Sequence, residues 1–194
     1  MSGGVVEPSI THHVSRRAVF LDRDGVLNRD SEDFIKTPDE LELLPGAAES
    51  VSRLNDAGFL CVVITNQSGI ARGLFPESAL DGLHAKLRAG LAAGGAHIDA
   101  IYYCPHGPND GCDCRKPAAG MVLQAARDYD IDLAGSWLVG DRPGDIACGA
   151  AAGTRTILVL TGKLDQYDPG VFPVPPEHVC KGITEAIDVI LAGA

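Results

Sequence analysis

The chain has 194 residues, of which 45% are hydrophobic, and this composition fits one compact domain with a substantial core rather than a disordered polymer. Acidic residues outnumber Lys and Arg by 26 to 16, the formal charge is −10 and no Lys/Arg-rich run occurs, so nucleic acids and anionic membranes are not expected partners. No apolar run approaches the ~18 residues of a membrane helix and no secretory signal precedes residue 17, so we expect a cytoplasmic protein.

Residues 1–16 are polar, and we expect them to form a flexible N-terminal tail ahead of a single domain over residues 17–194. The tail contains His12 and His13. We interpret these two histidines as a solvated pair rather than as a metal site.

Apolar runs and helical patterns alternate along the rest of the chain. Strands are predicted at residues 18–21, 59–64, 100–103, 136–139 and 156–160, and the absence of polar alternation indicates that both faces are covered. Helices are predicted near residues 46–57, 76–93, 119–129, 144–152 and 183–191, with Pro76 at a first helical position. This order predicts an α/β fold with a doubly wound, Rossmann-like, mostly parallel sheet and helices on both faces. Ligands bind such sheets at the carboxyl ends of the strands.

Two acidic motifs follow predicted strands. Asp-Arg-Asp-Gly occupies residues 22–25 and Gly-Asp-Arg-Pro-Gly-Asp occupies residues 140–145. Carboxylates at strand ends can serve as a nucleophile, as an acid/base group and as ligands of a hard cation such as Mg²⁺. Each motif is also an ordinary turn sequence when it is taken alone.

Two further motifs could bind an anion. Thr-Asn-Gln-Ser at residues 65–68 offers hydroxyl and amide donors for phosphate oxygens. Arg115 and Lys116 precede a predicted helix, where the helix dipole favours anions over cations, so their position suggests a bound anion between them and the helix. Taken alone, the first motif is an ordinary polar loop and the second is a solvated pair of surface cations. Together, the four motifs indicate a site for phosphoryl transfer.

A cysteine-rich segment lies between the Thr-Asn-Gln-Ser motif and the Arg115-Lys116 pair. Cys104, His106, Cys112 and Cys114 have the spacing Cys-x-His-x5-Cys-x-Cys, which supplies three thiolates and one imidazole. That donor set fills the tetrahedral shell of Zn²⁺, so we predict a structural zinc loop. Unrelated buried cysteines are the alternative, but the intervening Asp, Gly and Pro residues make this segment too polar for a core. Cysteines elsewhere are scattered, as expected in a reducing compartment.

The four motifs, from Asp22 to Asp145, resemble those of the haloacid dehalogenase (HAD) superfamily. The resemblance implies that Asp22 attacks phosphorus and that Asp24 acts as the general acid and base. It also implies that Thr65 and Lys116 bind the transferring phosphoryl group. The implied magnesium ligands are Asp22, the backbone carbonyl of Asp24, and Asp141, with Asp145 orienting them.

Three segments of the chain resemble the branch of heptose bisphosphate and histidinol-phosphate phosphatases, namely residues 65–73, residues 101–106 and the zinc loop. Likeness to the heptose members implies removal of the 7-phosphate of D-glycero-D-manno-heptose 1,7-bisphosphate, in the biosynthesis of nucleotide-activated heptose for products such as lipopolysaccharide. The chain leaves no room for a large cap domain, and we expect an open site in a monomer. The implied phosphate- and substrate-binding residues are Asp30, Ser31, Glu32, Asp33, Thr65, Asn66, Gln67, Ser68, Arg115, Lys116 and Arg142.

Two alternatives stay open at this point. The five residues between His106 and Cys112 form a shorter segment than in many heptose members and resemble the histidinol-phosphate members, so histidinol phosphate is an alternative substrate. A catalytically silent, zinc-bearing binding module is the other alternative, and the intact Asp22 and Asp24 argue against it.

Overall fold

The computed structural model describes residues 15–193, and a six-stranded sheet forms its centre. The strands are β1 Ala18–Leu21, β2 Leu60–Asn66, β3 Ala100–Cys104, β4 Trp137–Gly140, β5 Arg155–Val159 and β6 His178–Cys180. The helices are α1 Ala47–Asp56, α2 Ala79–Ala92, α3 Gly120–Tyr129, α4 Pro143–Ala152 and α5 Ile183–Ala192. Most of the predicted tail, including His12 and His13, lies outside the described residues. Backbone pairing begins at Arg16, whose N–H donates to the Asp130 carbonyl at 3.0 Å.

The predicted doubly wound fold is confirmed. The strand order is β3-β2-β1-β4-β5-β6, and each neighbouring pair is parallel. Strand β6 is not among the predicted strands, because it has only three residues, follows a proline-rich loop and is recognisable only through its pairing with β5.

The start of α2 also differs from the prediction. The helix begins at Ala79 instead of Pro76. The N–H groups of Ala79 and Leu80 bond to the carbonyls of Pro76 and Glu77, three residues back, so residues 76–78 form tight turns ahead of the α-helix.

Both faces of the sheet are buried. In β1, Val19 and Leu21 join the core under α1, α2 and α5, whereas Ala18 and Phe20 join the core under α3 and α4. Two buried faces explain why the strands are continuous apolar runs. No helix in residues 15–193 is long and apolar enough to cross a membrane.

The connections reverse direction between β1 and β4. From β1 the chain adds β2 and β3 on one side, and it then adds β4, β5 and β6 on the other. This switch point places the carboxyl ends of β1 and β4 side by side, and the Asp22 N–H donates to the Val139 carbonyl at 3.0 Å. Asp22 and Asp141 therefore leave the sheet as neighbours.

Candidate active site

The predicted motifs converge on one cleft of about 320 Å³ at the carboxyl edge of the sheet. The predicted residues that line it are Asp22, Asp24, Asp30, Ser31, Glu32, Thr65, Asn66, Gln67, Ser68, Arg115, Lys116 and Arg142. Phe34, Ile35 and Lys163, which are not among the predicted site residues, line it too. The structure does not bring Asp33 into the cleft: its side chain is exposed, and its N–H bonds to the Ser31 hydroxyl at 3.2 Å.

A buried lysine lies between two carboxylates at the base of the cleft. Lys116 Nζ lies 2.9 Å from Asp22 Oδ1 and 2.6 Å from Asp145 Oδ1, and it donates to the Ile64 carbonyl at 2.9 Å. The backbone N–H of Arg23 also donates to Asp22 Oδ1, at 2.8 Å. Asp22 Oδ2 has no hydrogen-bond partner within residues 15–193, so this oxygen is free to act on a ligand.

Burial and crowding shift the protonation equilibria of these groups. Burial raises the pKa of Asp22 to about 8, with Lys116 opposing the shift and Asp145 adding to it. Burial likewise raises the pKa of Asp141 to about 6, and Asp145 again adds to the shift. Desolvation would lower the pKa of Lys116, but the Asp145 and Asp22 carboxylates raise it above its ordinary value. Asp22 and Asp145 thus share the Lys116 ammonium group, and Asp141 lies 3.5 Å from Arg142 Nε.

This carboxylate cluster suits a divalent cation. Oxygens of Asp22, Asp141 and Asp145 all lie within 4.8 Å of one another. Asp141 Oδ1 is buried and has no hydrogen-bond partner among residues 15–193, which leaves a lone pair for a metal. Both oxygens of Asp145 are already used, by Lys116 and by the Arg142 N–H at 3.0 Å. The geometry therefore favours Asp22 and Asp141 as side-chain ligands and Asp145 as the group that orients Lys116.

The loop after β5 holds Asp141 in place. The N–H of Lys163 donates to Asp141 Oδ2 at 3.2 Å. A Cβ at Gly162 would lie 1.8 Å from the same oxygen, so any larger residue at position 162 would displace the carboxylate.

Asp24 has a carboxylate with every acceptor position occupied. Arg23 donates to both of its oxygens, at 3.0 and 2.8 Å, and Asn28 and Gln67 add bonds of 2.9 and 3.0 Å. Burial alone would raise the pKa of Asp24, but Arg23, Asn28 and Gln67 outweigh it and lower the pKa. A carboxylate accepts about four hydrogen bonds. One of these four must therefore break before Asp24 can exchange a proton with a substrate.

Arg23 is a residue that the sequence analysis missed. Its side chain is completely buried although it stands between two aspartates in a turn. Its guanidinium donates two hydrogen bonds to Asp24, and its Nη1 is buried without a hydrogen-bond partner within residues 15–193. The only signal in the sequence is an arginine directly between two predicted catalytic carboxylates.

Two of the predicted phosphate-binding amides hold other site residues instead. Asn66 clamps the backbone of Lys116: its Nδ2 donates to the Lys116 carbonyl at 3.0 Å and its Oδ1 accepts from the Lys116 N–H at 3.1 Å. The Gln67 amide bridges Asp24 and the Thr65 hydroxyl, the latter at 2.8 Å. These amides line the cleft, but their bonds fix Lys116 and Asp24.

The predicted zinc ligands form a compact cluster. Cys104 Sγ lies 3.6 Å from both His106 Nδ1 and Cys112 Sγ, and Cys114 Sγ lies 3.3 Å from His106 Nδ1 and 3.5 Å from Cys112 Sγ. Metal–ligand bonds of about 2.0–2.3 Å in a tetrahedron give ligand separations of about 3.5–3.8 Å. The four donor atoms are therefore spaced for one zinc ion. The Arg115 guanidinium donates to the His106 carbonyl at 3.2 Å, which joins this loop to the cleft.

Comparison with known proteins identifies relatives of this chain. A family model described as HAD-hydrolase-like matches residues 113–186. The D-glycero-beta-D-manno-heptose-1,7-bisphosphate 7-phosphatase of Pseudomonas aeruginosa is 49% identical over 150 residues, which cover 77% of this chain and 84% of that protein.

Two crystal structures of relatives share the fold. The D,D-heptose 1,7-bisphosphate phosphatase of B. bronchiseptica, complexed with magnesium and phosphate, aligns with a TM-score of 0.82 at 43% identity, over 92% of this chain and 99% of that one. The corresponding enzyme of Burkholderia thailandensis aligns with a TM-score of 0.70 at 35% identity, over 91% of this chain and 99% of that one. The chain therefore belongs to the HAD-like phosphatase family, in the group that contains the heptose bisphosphate phosphatases.

Proposed function

We propose that this protein is a magnesium-dependent phosphomonoesterase that removes the 7-phosphate of D-glycero-D-manno-heptose 1,7-bisphosphate through an aspartyl-phosphate intermediate. The observation that carries the proposal is the position of Asp22. Its Oδ1 is fixed by Lys116 at 2.9 Å, its Oδ2 has no hydrogen-bond partner among the described residues, and Asp141 lies beside it at the sheet switch point. The identity to heptose bisphosphate phosphatases supports the choice of substrate.

The chain's own groups account for both half-reactions. Asp22 Oδ2 attacks phosphorus and the bond from phosphorus to the ester oxygen breaks. That oxygen takes a proton from Asp24, which must enter this step in its protonated form, with one of its four hydrogen bonds broken. A water molecule then gives its proton back to Asp24 and attacks the same phosphorus, which releases inorganic phosphate and restores the Asp22 carboxylate. Lys116, fixed by Asn66, neutralises part of the charge on the phosphoryl oxygens.

Magnesium would be held by the carboxylates of Asp22 and Asp141 and by the backbone carbonyl of Asp24. Asp141 Oδ1, which has no partner in the part of the chain that the structure describes, and the surplus of negative charge in the cluster support this assignment. When bound, the cation would offset the repulsion between the Asp22 carboxylate and the phosphate dianion.

One comparison of substrates tests the proposed function. We expect kcat/KM for heptose 1,7-bisphosphate to exceed that for histidinol phosphate by about a hundredfold, or about 2.7 kcal/mol of transition-state discrimination. ³¹P NMR should show that the phosphate released comes from C7, and both anomers should be assayed. A hundredfold preference for histidinol phosphate would overturn the substrate assignment. No turnover of any phosphate ester, with no Mg²⁺-dependent beryllium fluoride binding, would favour a silent binding module.

The four-residue cluster of Cys104, His106, Cys112 and Cys114 is proposed to bind structural zinc. Its contact with Arg115 predicts that losing the metal weakens catalysis without removing a catalytic group. For Cys112→Ser we expect loss of the one zinc ion per chain and a fall in kcat/KM of about 10- to 100-fold.

Elemental analysis and steady-state kinetics measure the two effects. Cys180→Ser is the matched control, because Cys180 is a buried thiol outside the cluster and its replacement should leave the zinc content at one. A Cys112→Ser protein that retained both zinc and full activity would contradict the assignment.

A further inference from the structure

Lys163, Arg142 and Asp30 line one side of the cleft, which is called the wall below. The proposed mechanism does not use the Lys163 side chain. Lys163 follows β5 by four residues, and its backbone N–H is fixed to Asp141 Oδ2 at 3.2 Å. Its side chain is 37% exposed and lines the same cleft as Asp22. The main chain of Lys163 is thus anchored to the metal-binding carboxylate, while its ammonium group reaches along the wall.

One carboxylate holds Lys163 together with a second cation. Asp30 Oδ2 lies 2.6 Å from Arg142 Nη2 and 3.7 Å from Lys163 Nζ, and the Asp30 side chain is only 11% exposed. The two cations are much more open to solvent, with 48% exposure for Arg142 and 37% for Lys163. Both cations line the cleft, and their solvent-exposed side chains can meet an anionic group there.

The second carboxylate near Lys163 is highly exposed to solvent. Glu32 Oε1 lies 3.9 Å from Lys163 Nζ, but the Glu32 side chain is 93% exposed. Exposed ion pairs of this kind contribute little to stability, and salt screens them. An incoming dianion can therefore take over the Lys163 ammonium group at small cost.

The wall is close to the reaction centre but separate from it. Arg142 Nε lies 3.5 Å from Asp141 Oδ2, which ties the wall to the carboxylate cluster. Lys116 cannot serve a second phosphate, because it is buried at the base of the cleft and is assigned to the phosphoryl group that is transferred. In a chain with a formal charge of −10, a second dianionic group needs local cations of its own.

We propose that Lys163 is a specificity-determining residue which, together with Arg142, binds the phosphate group of the substrate that is not cleaved. Asp30 is the positioning residue that holds both cations on one wall. The inference rests on the proposed bisphosphatase function and adds to it a group that distinguishes a bisphosphate from a monophosphate of the same sugar.

The test compares two substrates that differ by one phosphate, namely heptose 1,7-bisphosphate and heptose 7-phosphate. For Lys163→Gln we expect the ratio of kcat/KM values, bisphosphate over monophosphate, to fall about tenfold, chiefly through a higher KM for the bisphosphate. Lys163→Arg should restore most of the ratio because it keeps the charge. Lys181→Gln removes an exposed lysine outside the cleft and should leave the ratio at the wild-type value.

A ratio unchanged by Lys163→Gln would overturn the inference and leave the proposed function standing. Failure of the wild-type protein to hydrolyse either sugar phosphate would overturn the proposed function, and the inference with it. A second measurement needs no variant: KM for the bisphosphate should rise more steeply with ionic strength than KM for the monophosphate. Equal salt dependence for the two substrates would also contradict a charge-based role for this wall.

Discussion

Replacing Asp22 by asparagine is expected to lower kcat by a factor of about 10⁴ or more while leaving the fold intact. The amide keeps the shape of the side chain but cannot act as the nucleophile. Single-turnover assays with acid quenching should trap a phosphorylated protein for the wild type and none for the variant. An Asp22→Asn protein that turned over at the wild-type rate would show that the nucleophile lies elsewhere.

The same substitution is expected to raise the stability of the metal-free protein at high pH. The pKa of Asp22 is raised from 3.8 to about 8 in the folded protein, so the folded state binds the proton more tightly than the unfolded state. In chelator, the metal-free wild type should lose stability as the pH rises from about 4 to about 8. Asp22→Asn removes this loss, and its melting temperature should exceed that of the wild type at pH 8.

Melting temperatures measured from pH 4 to pH 8 in EDTA give the comparison. The pKa of Asp141 is raised to about 6, so the melting temperature of the variant should still decline, by a smaller amount, between about pH 4 and 6. Asp165→Asn, which removes an exposed carboxylate outside the cleft, should keep the full wild-type pH dependence. Parallel curves for the wild type and Asp22→Asn would contradict the raised pKa of Asp22.

Lys116→Met is expected to damage stability and catalysis together. The substitution leaves Asp22, Asp145 and the buried Ile64 carbonyl without the ammonium group that contacts all three. Removing one partner from a buried ion pair costs about 3–5 kcal/mol of unfolding free energy, and we expect a loss of that size at pH 7 in chelator. We expect kcat to fall at least about a thousandfold, because the transferring phosphoryl group loses its buried cation.

Urea denaturation and steady-state kinetics measure these two losses, and a second substitution separates them. Asp145→Asn in the Lys116→Met background removes one stranded charge, so it should recover part of the stability but none of the activity. Lys181→Met, at an exposed position, should match the wild type in both. Wild-type stability for Lys116→Met would mean that the buried pairs seen here do not form in solution.

Features that depend on local sequence could be predicted without the structure. Apolar runs predicted five of the six strands, because strands covered on both faces need apolar residues throughout. The acidic motif at residues 22–25 was recognisable because its carboxylates are adjacent and follow a strand. The zinc loop was recognisable because its metal ligands lie within eleven residues of one another, at a spacing that a single loop can close.

The tertiary structure decided what these side chains contact. Asn66 and Lys116 are fifty positions apart, and the strand order brings them together, so an expected phosphate donor instead clamps a lysine backbone. The burial of Arg23 and the place of Lys163 beside Asp30 likewise arise from packing between distant segments. The sequence by itself determined the kinds of chemical groups present and their order. Only the tertiary structure decided which of them are free to meet a ligand, because hydrogen bonds and burial depend on contacts between residues far apart in the chain.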